Sequence, residues 1–399
     1  MPNNNNTIPQ GWQTKSLGQI GTFLKGKGIT KAEIIETGKP CIRYGQIYSE
    51  YNYFVKEFKS FIDETSAKKS EPIFKNDLLF AGSGETLTDI GKCVAYIKDE
   101  EAYAGGDIVI LRPNSEDSHY LGYLFNADEF KKQTYKLGQG HSVVHLYSSS
   151  LKNVKVTLPP LPEQQKIAQI LATWDKAIKL QQQLIDNKKQ YKKAVMKKLL
   201  TGEVRFKGFR ERWRLKSLDE IAIFKNGKGH ETVVDENGEY IIVNSKFIST
   251  EGNVIKYTNQ NLSPLNKNEI TLVMSDIPNG KALAKCFFID EDNKYSLNQR
   301  ICSLKPKTGT DTRFLFYLLN RNQHFLEFNN GVSQTNLRKD EVLECPLMIP
   351  TIEEQQKIAL LLSKVDCEIK VLENELISFQ KQKKGLMQQL LTGKERVKN

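Results

Sequence analysis

The chain lacks the familiar motifs of catalysis and any run long enough to cross a membrane. No apolar run approaches the roughly 20 residues needed to span a bilayer. The six cysteines (Cys41, Cys93, Cys286, Cys302, Cys345 and Cys367) are scattered and form no CxxC pair. That argues against a zinc site and a disulfide framework, and it predicts a reduced, cytoplasmic setting. No G-x-x-x-x-G-K-[ST] stretch offers an ATP cradle. Lys281 follows Gly280 in PNGKA, but no glycine precedes it at the right distance. There is no N-P-P-[YF]-like stretch for adenine methylation, and no G-x-G-x-x-G after a strand pattern. His141 and His145 form H-x-x-x-H behind the glycine-rich LGQG, which supplies too few ligands for a metal. MPNNNNTIPQ at the start lacks the charged-then-apolar pattern of a signal peptide and reads as a polar tail. These absences predict a chain that binds rather than catalyses, with no metal and no cofactor of its own.

What is present is charge and repetition. The 399 residues suggest two or three domains. A hydrophobic content of 39% and a charged content of 26% fit an ordinary globular protein. The net charge of +11 favours a polyanionic partner, either nucleic acid or an anionic membrane surface.

EQQKIA occurs at residues 163–168 and again at 354–359. The similarity runs on at a fixed offset of 191 until both copies end in LLTG, at Gly202 and Gly393. A second repeat opens each half. WQTKSLGQIGTFLKGKG starts at Trp12 and WRLKSLDEIAIFKNGKG at Trp213, an offset of 201. The first half therefore carries ten extra residues in its middle. The order is variable block, constant block, variable block, constant block, which is a duplicated module rather than a solenoid.

The constant blocks are predicted to be helices. They are rich in Gln, Lys, Leu, Ala and Glu, and they lack Gly and Pro apart from Gly385. Pro162 suits a first turn, and Thr351 with Glu354 reads as a capping box. Gly202 and Gly393 sit where a left-handed C-terminal residue is wanted. Each helix should be about 57 Å long. Steps of four and three visit Ile167, Leu171, Trp174, Ile178 and Ile185 in the first. In the second they visit Ile358, Leu362, Val365, Ile369, Leu372, Leu376 and Phe379. A sustained seam of this kind is the coiled-coil pattern, the alternative being a long helix packed on its own domain. Gln181, Lys188 and Lys192 interrupt the first seam, which reads as a partner-covered site or a loose coiled coil. A pseudo-twofold would make the pair antiparallel and hold two globular domains apart on a bar of roughly 50–60 Å. Two different readers on such a bar would suit two different DNA half-sites, since paired DNA-binding units exploit groove faces about 34–36 Å apart.

LPPLPEQQKIA (158–168), IPTIEEQQKIA (349–359), the LLTG ends and the W-x-x-x-x-L openings at Trp12 and Trp213 together resemble the specificity subunits of type I restriction–modification systems. The resemblance covers essentially the whole chain. It implies an α+β fold with two target-recognition domains, each followed by a helical region, the two regions packing as an antiparallel coiled coil. On that pattern the domains are 1–158 and 205–349, and the helical regions are 159–204 and 350–399. The resemblance further implies a non-catalytic subunit that reads a bipartite, asymmetric sequence in double-stranded DNA. Two modification subunits would dock on it and methylate adenine N6 with S-adenosylmethionine. Two restriction and translocation subunits would join with ATP and Mg. A coiled-coil adaptor without a DNA role, and a modification-only complex, remain alternatives.

Candidate DNA contacts lie in matched loops rich in glycine, lysine and amides. They are Lys25 and Lys27 in KGKG, facing Lys228 in NGKG, and Arg43, Tyr44 and Gln46, facing Asn244, Ser245 and Lys246. Ser83 in GSGET faces Ser275. Gln139, His141 and Ser142 face Ser333, Gln334, Asn336 and Arg338. Lys and Arg would position phosphates; Arg43, Gln46, Asn244, Lys246, Gln334 and Asn336 are the first choices for base edges. The runs DIVILRP (107–113) and EYIIVN (239–244) predict strands.

Overall fold

The computed structural model describes residues 8–397, except 85, 87, 88, 140–143 and 279. The chain divides into two units. The first comprises residues up to Gln182 together with those from Glu375 onward, and the second comprises Gln183–Asn374. Both predicted long helices exist: a central helix, Leu161–Leu200, and a distal helix, Ile352–Leu390. Each helix contributes one part to each unit. Among the described residues no helix is long and apolar enough to cross a membrane.

In the first unit, Gln13–Ser16 pairs antiparallel with Lys155–Leu158 and so ties the start of the globular region to its end. Between them lie a five-stranded sheet, ordered Gly21–Lys25, Ile108–Pro113, Leu78–Ala81, Cys93–Tyr96 and Phe54–Val55, and a four-stranded sheet around the parallel pair Lys39–Ile42 and Ala102–Ala104. The second unit repeats the plan. Arg214–Ser217 pairs with Pro346–Ile349. A four-stranded sheet runs Ala222–Asn226, Ile301–Pro306, Ile270–Val273 and Cys286–Phe288. A three-stranded sheet contains the parallel pair Tyr240–Val243 and Tyr295–Leu297. The repeated KSL openings form matched capping boxes. Ser16 N–H donates to Gln19 and Ser217 N–H to Glu220, each at 2.7 Å.

The repeated letters of the constant blocks do repeated work. In the first unit Gln164 accepts the Asp117 N–H at 2.9 Å and donates to the Pro159 carbonyl at 2.9 Å. In the second, Gln355 accepts the Asp311 N–H at 2.8 Å and donates to the Pro350 carbonyl at 2.9 Å. Asp117 and Asp311 are themselves N-caps of the helices Ser118–Leu124 and Thr312–Leu319. Glu163 is clamped by both guanidinium arms of Arg396, at 2.7 and 2.8 Å. Glu354 is clamped likewise by Arg205, at 2.9 and 2.7 Å, and also receives the Trp213 indole N–H. The capping box expected for Thr351 is therefore corrected: the buried Glu354 carboxylate serves a distant arginine, a stronger charge-assisted partner than its own N-cap amide.

Within each unit the two helix segments run antiparallel. In the first, Trp174 meets Phe379 edge-on, Asp175 pairs with Lys383 at 2.6 Å and Gln181 donates to Glu375 at 3.0 Å. In the second, Lys188 pairs with Glu368 at 2.5 Å, and Lys192 with Asp366. Polar residues at seam positions thus bond across the pair, and the gaps in the apolar pattern are neither loose nor unpartnered. The seam does two jobs. Ile167 and Leu171, with Met387, Leu390 and Leu391, join the core of the first globular region. Leu199, Ile358 and Leu362 join that of the second. Ile185, Val365 and Ile369 are buried. Trp174, Ile178, Leu372, Leu376 and Phe379 are half-buried.

Gly202 and Gly393 take the left-handed conformation, with φ +73° and +70°, as the LLTG endings predict. Their surroundings differ. A Cβ at Gly202 would meet nothing nearer than Trp213 at 3.4 Å, whereas one at Gly393 would lie 2.5 Å from Pro9 Cγ. Gly202→Ala is expected to cost about 1 kcal/mol of left-handed strain. Gly393→Ala adds a clash and should lower the urea midpoint further; equal midpoints would contradict this.

Candidate nucleic-acid interface

In the first unit two predicted loops come together. Gly28 at the end of KGKG and the turn Arg43–Gln46 line one open cleft of about 870 Å³, with Lys31, Tyr48 and Lys59. The repeated glycine of these loops is a packing requirement. A Cβ at Gly26 would lie 2.0 Å from the Gly105 carbonyl oxygen, and one at Gly227 would lie 1.9 Å from that of Asn298. Lys25 is exposed, and Lys27 is exposed and paired with Glu71 at 2.7 Å. Arg43 N-caps the helix Tyr44–Ser49, and its Nε is buried with no partner among the described residues. Tyr44 is half-buried. Gln46 is buried with both ends of its amide engaged. It accepts the Arg43 N–H at 2.9 Å and donates to Ser60 Oγ at 2.8 Å. Its amide holds the turn in shape.

The matching place in the second unit is built from a capped helix and a buried histidine. Asn244 caps the helix Ser245–Ser249 by accepting the Phe247 N–H at 2.9 Å, with Ser245 half-buried and Lys246 exposed. Lys228 is exposed, and its carbonyl meets the Nδ1 of His230 at 2.7 Å. His230 is 1% exposed, and its Nε2 lies 2.7 Å from Ser296 Oγ.

Each unit also carries a two-stranded antiparallel ribbon. Ser83–Gly84 pairs with Val144–His145, and Ser275–Asp276 pairs with Thr335–Asn336. In both, a buried serine on one strand holds the side chain directly opposite. Ser83 Oγ lies 2.8 Å from His145 Nδ1. Ser275 Oγ donates to Asn336 Oδ1 at 2.5 Å and accepts from Gln334 Nε2 at 2.9 Å. Gln139 is exposed and exchanges both backbone hydrogen bonds with His145. His141 and Ser142 lie outside the described residues. Ser333, Gln334 and Asn336 are exposed, while the exposed Arg338 pairs with Glu341 at 3.1 Å. In the first unit the helix Tyr44–Ser49 packs beside the ribbon strand Ser83–Gly84, so cleft and ribbon form one surface.

Two residues escaped the sequence reading. Ile277 is 68% exposed and Val332 is 84% exposed, each in a loop next to the second ribbon. Both are held out by their own loops. Asp276 accepts the N–H groups of Ile277, Ala282 and Leu283. Asn330 accepts those of Val332 and Ser333. An unusually exposed β-branched residue in an asparagine-rich turn is the signal that could have found Val332.

The family model for the type I restriction modification DNA specificity domain matches the chain twice, over residues 9–188 and 210–378. A putative type I restriction enzyme MjaX specificity subunit from Methanocaldococcus jannaschii is 28% identical, the match covering 98% of this chain and 95% of that one. A crystal structure of a type I restriction–modification S subunit from M. genitalium aligns with a TM-score of 0.60 at 17% identity, over 98% of each chain. A chain solved in work on complex assembly and conformational transition of the type I R-M system aligns with a TM-score of 0.60 at 14% identity, over 96% of this chain and 98% of that one.

Proposed function

The chain belongs to the type I restriction modification DNA specificity family, and from that membership we propose that it selects the DNA sequence for a methyltransferase–endonuclease complex. Residues 1–158 and 205–349 are its two target-recognition domains; residues 159–204 and 350–399 are its helical regions. The subunit itself is non-catalytic. Two modification subunits supply S-adenosylmethionine chemistry at adenine N6, and two restriction subunits supply ATP- and Mg-dependent translocation and cleavage. A modification-only complex of the same subunit is the second reading.

The observation that carries this reading is a repeated frame with unlike surfaces. The two units share their strand pairs, capping boxes and glutamine anchors, yet the side chains at their ribbons differ: half-buried His145 with exposed Gln139 at one, exposed Gln334 and Asn336 at the other. A duplication that keeps its anchoring contacts and varies what it presents suits the reading of two different half-sites. Phosphate contacts from exposed lysines would position the duplex, and the ribbon side chains would face base edges.

The test is a titration of the complex with its modification subunit against duplex DNA containing the target, at several salt concentrations. Log affinity is expected to fall linearly with log salt, by on the order of 10³-fold between about 50 and 200 mM if six or more phosphates are contacted. An adaptor without a DNA role would show no such slope and no preference for any duplex.

A further inference from the structure

We propose that Gln334 and Asn336, locked by Ser275, form a composite donor–acceptor pair that reads an adenine in the half-site of the second domain. The proposal rests on the DNA-reading role above and names the residues and base it uses. An isolated asparagine or glutamine on a protein surface can turn its amide over and present either end. Here the two amides are coupled. Ser275 Oγ donates to Asn336 Oδ1 at 2.5 Å, and Gln334 Nε2 donates to Ser275 Oγ at 2.9 Å and to Asn336 Oδ1 at 3.2 Å. Ser275 is 6% exposed, so the anchor is buried while the two amides are exposed.

This bonding uses the acceptor of Asn336 and the donor of Gln334. It leaves Asn336 Nδ2 as a donor and Gln334 Oε1 as an acceptor, with no partner among the described residues. Turning one amide alone would set donor against donor or acceptor against acceptor inside the triad, so the two can only turn together, and in either arrangement the pair presents one donor and one acceptor outward. In the major groove, adenine offers an acceptor at N7 and a donor at N6. Guanine offers acceptors at both N7 and O6, thymine an acceptor beside a methyl, and cytosine a donor alone. Adenine is the base whose edge complements one donor and one acceptor together. The neighbouring Ile277 and Val332 supply apolar contact of the kind that suits a thymine methyl. In the first domain the same position holds His145, tethered through Nδ1 to Ser83, so its Nε2 is the atom left to face DNA. That difference would give the two halves of the site different sequences.

The experiment is modified-base sequencing of DNA methylated in cells by the complex of the full chain with its modification subunit, for wild type, Asn336→Asp, Gln334→Glu and Ser275→Ala. Asn336→Asp removes the donor of that side chain and leaves two acceptors outward. It is expected to lower methylation of sites with adenine at one position of the second half-site by about tenfold or more, leaving the first half-site unchanged. Gln334→Glu keeps the outward acceptor while disturbing the lock, and Ser275→Ala removes the lock without touching either amide. Both are expected to relax discrimination at that same position. If one variant fails to assemble, the other two carry the test. A wild-type motif that none of the assembled variants alters would overturn the adenine assignment and leave the DNA-reading role intact. A wild-type complex that methylates no defined sequence would overturn both.

Discussion

Replacing Asp175 with alanine is expected to destabilise the first unit by about 3 kcal/mol. Lys383 sits at a seam position where an apolar residue would be expected, and its side chain is 6% exposed. Three groups make that charge tolerable. Asp175 pairs with it at 2.6 Å, the Tyr53 ring lies 4.0 Å from its ammonium and the Tyr123 ring 5.1 Å away. Asp175 also accepts the Tyr123 hydroxyl at 2.6 Å, so it ties the globular region to both helices. Removing it strands a buried cation and a buried hydroxyl together. The figure lies at the low end for a broken buried pair because the Asp175 side chain is itself 21% exposed.

The loss should depend on pH in a defined direction. Burial already holds the Lys383 pKa below its ordinary 10.5, against the pull of Asp175. Without Asp175 it falls further. Between that depressed value and the ordinary one, the folded state binds fewer protons than the unfolded state, so the stability of the variant rises with pH. The deficit against wild type is therefore largest near neutral pH and narrows as pH approaches about 10. Hydrogen exchange of the segment 167–178, followed by mass spectrometry at several pH values, reads this directly. A deficit independent of pH would mean that the stranded charge is not the cause. Changing Lys383 to methionine in the same variant should recover most of the loss, since the apolar replacement removes the stranded charge.

Exchanging residues 12–158 for the corresponding region of another specificity subunit is expected to change one half of the recognised sequence completely and leave the other untouched. At about 1–3 kcal/mol per mismatched base pair, even two altered positions shift the preference about 30-fold or more. Whether the exchange succeeds depends on three attachments. The incoming region must offer an N-cap amide to Gln164, as Asp117 does, and a hydroxyl to Asp175, as Tyr123 does. It must also present an apolar face to Ile167, Leu171, Met387 and Leu390. A region lacking the first two should assemble poorly but still redirect the same half. A chimera that changed both halves would contradict independent reading by the two domains.

Much of the frame was legible because periodicity and identity are properties of the letters themselves. The long helices, their glycine ends and their shared seam follow from the offset of 191 and the spacing of apolar residues. The strands Ile108–Pro113 and Tyr240–Val243 follow from apolar runs. The reason for the identical letters was not legible. Glu163 and Gln164 act on Arg396 and Asp117, and spacing does not join residues so far apart in the chain. One signal did exist, since Arg205 and Arg396 stand three residues beyond each LLTG at the same offset of 191. The cross-pair bonds of the polar seam residues were not legible, because a seam reading counts apolar letters and passes over Asp366, Glu368 and Glu375 on the facing helix. The ribbons were invisible as strands, because two residues have no period. The loops that carry them are the glycine- and amide-rich stretches of the sequence.

The most direct test is modified-base sequencing of a genome expressing this chain with its modification subunit. The predicted result is methyladenine in a single two-part asymmetric motif, with its two specified halves separated by unread bases. Methylation in a continuous or palindromic motif, or none from a stably formed complex, would contradict the claim that two different domains of this chain read two different half-sites.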